Sequence, residues 1–83
     1  QNGLEIDFVV VKNNKIEKLI QVSKSLENDK TKKRELEVFK KTIDELNLID
    51  VKSIIISEDK SSKFLYNEQE IEVKNILEWL NFD

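Results

Sequence analysis

Asp7 and Gln21 are the residues whose types and spacing come closest to chemistry in this chain. Asp7 lies in Glu5-Ile6-Asp7-Phe8-Val9-Val10-Val11, and Gln21 in Leu19-Ile20-Gln21-Val22-Ser23, fourteen positions further on. Both runs have strand composition, and Asn13-Asn14 between them suits a tight hairpin turn, because both residues tolerate positive φ. Such a hairpin lets Glu5 and Asp7 point to the same face as Gln21 and Ser23, so that all four side chains can converge. The chemistry open to them is narrow. The chain has no Cys and no His, which removes thiolate sites, the usual base near neutral pH and every Ser-His or Cys-His nucleophile. Oxygen donors remain, and these suit a hard ion such as magnesium or manganese. Metal-assisted attack on a phosphodiester also needs a cation to orient water and to balance the charge developing on phosphate. Ser23 supplies none, Lys24 points to the opposite face, and Ser53, Ser57, Ser61 and Ser62 have no base to activate them.

Three readings of Asp7 and Gln21 follow from these residue types. A carboxylate in an otherwise apolar strand must be hydrogen-bonded or shifted in pKa, and the Gln21 amide offers it a donor across the hairpin, as a buried structural pair. The second is a residual site that binds a metal ion or a phosphate backbone without hydrolysis, and the third is a working metal-dependent site. On the helix that follows, Lys30, Lys32, Lys33, Arg34, Lys40 and Lys41 form a basic surface that can track phosphates. No aromatic residue is interleaved with them, which argues against base stacking there, and a solvated outer face accounts for the same charges.

The elements that must position these residues are legible as periodicities. Residues 4–11 read as a strand, apolar on both sides over Phe8-Val9-Val10-Val11 and therefore expected in the middle of a sheet. Lys15–Val22 is its partner, with Ile16, Lys18, Ile20 and Val22 on one face and Glu17, Leu19, Gln21 and Ser23 on the other. Asn28 is expected to cap a helix that runs to about Asn47, with Leu36, Phe39, Ile43 and Leu46 as its apolar stripe. Residues 51–57 contain Ile54-Ile55-Ile56, an uninterrupted run typical of a buried parallel strand, which makes residues 15–57 a βαβ unit. Residues 63–66 and 69–73 form a second hairpin around Asn67-Glu68, with the Glu70/Ile71/Glu72/Val73 alternation marking an edge strand. A short helix over about residues 74–81 closes the chain, with Ile76, Leu77 and Leu80 inward and Trp79 and Phe82 at its margin. The fold class expected is therefore α/β, a mixed sheet with a βαβ crossover and flanking helices, in a single domain over residues 1–83.

Composition limits the rest. Fourteen basic against 17 acidic residues give a net charge of −3, which disfavours a dedicated nucleic-acid binder. The charge is uneven, with seven basic against four acidic groups over residues 24–41 and three against seven over residues 58–83. No apolar run approaches the ~20 residues that span a bilayer, so no membrane association is expected, and the lack of Cys makes the cytoplasm the default compartment. Gln1-Asn2-Gly3 leads straight into a strand without an initiator Met, as in a segment of a longer protein.

The order Glu5-Ile6-Asp7-Phe8-Val9-Val10, Leu19-Ile20-Gln21-Val22-Ser23, Asp29-Lys30-Thr31-Lys32-Lys33-Arg34-Glu35-Leu36, Ile54-Ile55-Ile56 and Trp79-Leu80 resembles a known family. It is similar to the C-terminal domain of unknown function that follows the ATPase module in bacterial and archaeal AAA-type ATPases, over nearly the whole chain. That domain in turn resembles restriction-endonuclease-like folds of the PD-(D/E)xK type. The resemblance implies a metal-binding role for Asp7, with Glu5 as an outer ligand and Gln21 at the second ligand position, where Glu is usual. It places Ser23 at the position of the catalytic lysine, so the candidate catalytic set Asp7, Gln21 and Ser23 lacks that lysine's positive charge. In that fold a helix and a strand precede the Asp-bearing strand, so this chain would be an incomplete version with an unpaired sheet edge. With one glycine the chain has no phosphate-binding loop of the G-x-x-x-x-G-K-[ST] type, and ATP binding does not carry over. The expectation is a catalytically degenerate accessory domain without activity of its own. Its implied partners are the rest of the parent ATPase, a second copy, or DNA contacted through Lys32, Lys33, Arg34, Lys40 and Lys41. The alternatives are a magnesium-dependent DNA nuclease and an oligomerisation module.

Overall fold

The computed structural model describes residues 5–81. Among the described residues five strands and two helices follow one another as β1 (Phe8–Lys12), β2 (Lys15–Val22), α1 (Asp29–Leu46), β3 (Lys52–Ser57), β4 (Ser62–Tyr66), β5 (Gln69–Asn75) and α2 (Ile76–Leu80). They build one mixed sheet in the order β1-β2-β3-β5-β4, in which β2, β3 and β5 are parallel and the outer strands run antiparallel to their neighbours. The domain is thus α/β with a βαβ unit over β2, α1 and β3, as the periodicities imply.

The turns follow from residue type. Asn13 and Asn14 have φ of 54° and 62°, and Asn67 and Glu68 have 49° and 68°. Two consecutive left-handed residues twist a two-residue hairpin in the sense that its strands require. Asn28 caps α1, its Oδ1 accepting from the N–H groups of Lys30 and Thr31 at 2.9 and 3.2 Å. At the other end Asn47 turns left-handed, and the Leu48 N–H returns to the Ile43 carbonyl at 3.0 Å, closing the helix.

Two clusters fill the two faces. Under α1, Leu36, Phe39 and Ile43 meet Leu19, Ile55, Ile71 and Val73. On the opposite face Ile20, Ile54 and Ile56 form a smaller cluster, partly covered by Val10, Ile76 and Trp79.

Several expectations need correction. Asp7 lies in a bend and β1 starts only at Phe8; Leu4 falls outside the described residues. Among the described residues β1 is an edge strand and not a central one, although its sequence is apolar on both faces. β5, whose alternating acids suggest an edge, lies between β3 and β4. Its Ile71 and Val73 are buried beneath α1, while Glu70 and Glu72 stand on the face opposite α1. Within β2 the pairing runs Val10 to Lys18 and then Val11 to Ile16, so Glu17 is a bulge. The bulge moves Ile16 to the side of Leu19, where it packs against the larger cluster rather than sharing a face with Ile20. In α2 the inward residues are Ile76 and Trp79, whereas Leu77 and Leu80 are exposed. Phe82 lies outside the described residues.

Candidate functional site

The β1–β2 register, Phe8 opposite Ile20, sets Asp7 directly across from Gln21. Past the last β1 residue the pairing is completed by side chains. The Asp7 N–H donates to Gln21 Oε1 at 2.7 Å, and the Val22 N–H donates to Asp7 Oδ2 at 2.8 Å. Each residue thus satisfies a backbone donor on the opposite chain segment, and the two together clasp the start of β1 onto β2. The expected contact, a Gln21 amide donating to the Asp7 carboxylate, is not the one formed. An N–H can only donate, so the amide oxygen of Gln21 must face Asp7, and its nitrogen faces away.

That nitrogen points at α1. Gln21 Nε2 donates to Glu35 Oε1 at 2.8 Å, beneath the first turns of the helix. Gln21 is only 4% exposed and the Glu35 side chain 12%, whereas Asp7 is open to solvent. Glu35 is the member of this network that the sequence argument leaves out. Its signal is present: it precedes Phe39 by one helical turn and so extends the apolar stripe with an acid. Arg34, beside it and largely exposed, lies 3.9 Å from its other oxygen.

The remaining candidates separate. Glu5 is exposed outside β1 and takes no part in the network. Ser23 is buried, and its hydroxyl donates to the Ser25 carbonyl at 3.3 Å, away from Gln21. Among the described residues, no group of three or more His, Cys, Asp or Glu is placed to hold a metal ion. The basic residues of α1 are partly engaged elsewhere: Lys40 pairs with Asp44 at 3.2 Å, and Lys32 Nζ sits 4.6 Å from the centre of the Phe64 ring on β4. Lys33 and Lys41 are exposed.

A second polar cluster occupies the same end of the sheet, where the three parallel strands terminate and where open α/β sheets usually bind ligands. Asp59 accepts from Ser25 Oγ at 3.1 Å, Leu26 N–H at 2.6 Å and Ser57 Oγ at 3.3 Å. Asn75 Nδ2 donates to the carbonyls of Glu58 and Asp59, both at 3.1 Å. These contacts tie the loop after β2 to the loop after β3 and to the end of β5. A shallow depression of about 250 Å³ also lies at this end, lined by Val22, Ser23, Ile56, Ser57 and Ile76. A groove of about 120 Å³ runs between α1 and the β4–β5 hairpin, lined by Leu36, Phe39, Ile43, Tyr66 and Ile71. It is smaller than the ~300 Å³ typical of a metabolite site. At its rim the Tyr66 hydroxyl donates to Glu37 Oε2; this hydrogen bond, then burial and the Glu37 charge, raises the Tyr66 pKa above its ordinary 10.0.

No protein-family model matches this chain, and neither a curated protein nor a solved structure does.

Proposed function

We propose that this is a catalytically silent accessory domain, related to restriction-endonuclease-like domains at the C-terminus of AAA-type ATPases, that serves interaction rather than hydrolysis. The observation that carries the reading is the commitment of both ends of the Gln21 amide. Its oxygen accepts from the Asp7 backbone and its nitrogen donates to Glu35, so the position that would offer a metal ion a second oxygen is an internal brace. Asp7 spends one carboxylate oxygen on Val22. Magnesium demands near-octahedral oxygen coordination, and this donor set does not fit it. The Ser23 hydroxyl is turned to its own loop and offers no positive charge to a phosphate. The implied role is service to the ATPase that would carry the domain, with engagement of DNA through Lys33, Arg34 and Lys41 as the weaker branch of the same reading.

The test is titration of the folded chain with magnesium and manganese, read by NMR at Asp7, Gln21, Ser23 and Glu35. No site-specific response at millimolar metal is expected. Saturable shifts confined to those residues would instead favour a magnesium-dependent nuclease and overturn the silent reading.

A further inference from the structure

We infer that the outer edge of β1 is a homodimer surface, on which two copies pair antiparallel about a two-fold axis at Val10 and join their sheets. Among the described residues no strand pairs with this edge. Its protection is confined to one end. Edge strands are normally blunted by lysines, prolines, bulges or extreme shortness; here Lys12 and the Glu17 bulge serve the turn end, while Phe8-Val9-Val10-Val11 carries four consecutive apolar residues. Phe8, Val9 and Val11 are 59, 41 and 60% exposed, on both faces of the strand. The other edge exposes one large apolar residue, Leu65, and is otherwise charged or covered. β4 carries Lys63, and its Phe64 and Tyr66 are held against α1 by Lys32 and Glu37.

The occupant is specified by register. Side chains paired across a continuous sheet must share a face, so an axis perpendicular to the sheet falls on a residue. With the axis at Val10, Val9 faces Val11 of the second copy on the α1 side. Phe8 faces Lys12 of the second copy on the other side, where the cation can lie against the ring. The acidic start of each strand, at Asp7, then lies near the basic end of its partner, at Lys12. Moving the axis to Val9 sets the Asp7 carboxylate against Val11, and moving it to Val11 leaves Phe8 uncovered. A second copy therefore matches this edge in register and in charge. Five paired residues bury less than a standard interface, which puts the dimer in the weak, transient class.

This inference gives the proposed interaction role a surface and a partner, and it rests on that role. The metal titration reads Asp7 and Gln21 while the experiment below reads β1, so either can fail while the other stands. Sedimentation equilibrium of the 83-residue chain over about 1–500 µM spans the range expected for such an interface. The mass should rise from monomer toward dimer. Val11→Lys, at an exposed site, should hold it at the monomer with an unchanged circular dichroism spectrum. The chain has no cysteine, so Val9→Cys combined with Val11→Cys gives a background-free register test. Oxidation should link the copies covalently, because the sulfur introduced at position 9 of one chain meets that introduced at position 11 of the other. A chain that stays monomeric throughout overturns the inference. So does a dimer that Val11→Lys leaves intact, or one that the cysteine pair cannot link. Should Val11→Lys reduce the folded content, the double-cysteine variant decides alone.

Discussion

At the scale of single residues, the Asp7–Gln21–Glu35 network predicts an order of effects. Gln21→Ala removes the acceptor of the Asp7 N–H and the donor to Glu35 at a buried position, and should cost about 1–3 kcal/mol. Asp7→Ala frees only the Val22 N–H, which water can reach, and should cost about 0.5–1.5 kcal/mol. Urea unfolding of both variants checks the order, and a larger loss at Asp7 would refute the brace. Gln21→Glu is more specific. It sets a second carboxylate at hydrogen-bonding distance from Glu35, and two acids that close cannot both ionise cheaply, so one of them titrates above the unfolded ~4.3. A raised folded pKa stabilises below the unfolded value and loses that contribution as pH rises through the folded one. The variant should therefore be destabilised at pH 7 relative to the parent and recover toward pH 4. A pH-independent difference in melting temperature would mean that Glu35 is not its neighbour.

At the scale of elements, β4 is held to α1 by two side-chain pairs, Tyr66 with Glu37 and Lys32 with Phe64. The first should make stability fall at alkaline pH. The Tyr66 pKa is raised by its hydrogen bond to Glu37, so its contribution is complete below the ordinary 10.0 and is lost as pH rises through the folded value. Thermal melts at rising alkaline pH should show a loss that Tyr66→Phe lacks; identical profiles for the two would remove the pair as a stabilising contact. Such long-range ties mark where the sequence stops being legible. Both hairpin turns, the Asn28 cap of α1 and the βαβ unit could be read locally, because Asn and the apolar stripe act over a few residues. The order of the strands could not. β1 and β5 are assigned to the wrong places by patterning, because a strand's neighbours are chosen by what covers each face. Four apolar residues in β1 imply a centre, yet among the described residues no strand lies outside it. The Glu17 bulge was equally silent, since its only sign is that Ile16 packs with Leu19. In the site, Asp7 opposite Gln21 followed from hairpin register, while Glu35 needed the helix to be laid across the sheet.

At the scale of the whole molecule, the two faces of the sheet are built to different strengths. The eighteen residues of α1 cover one face, whereas α2 has five and leaves Leu77 and Leu80 in solvent. Adjacent isoleucines of β3 report on this difference, because they point to opposite faces. Ile55 is fully buried among Leu36, Phe39 and Ile43. Ile56 is nearly as buried, but its neighbours are Ile20, Ile54 and the partly covering Val10, Ile76 and Trp79. Truncation to alanine costs more where the surroundings cannot collapse into the cavity. Beneath a long helix fixed at both caps they cannot, and Ile55→Ala should cost about 4–5 kcal/mol, comparable with the whole stability of a domain this small. On the thinner face, α2 can settle inward and Ile56→Ala should cost about 2–3 kcal/mol. Urea unfolding followed by far-ultraviolet circular dichroism separates the cases. The Ile56 variant should keep a cooperative transition at lower urea, while the Ile55 variant should be largely unfolded without denaturant. Equal losses would show that α2 packs its face as firmly as α1, and that the open side of the sheet is a finished core.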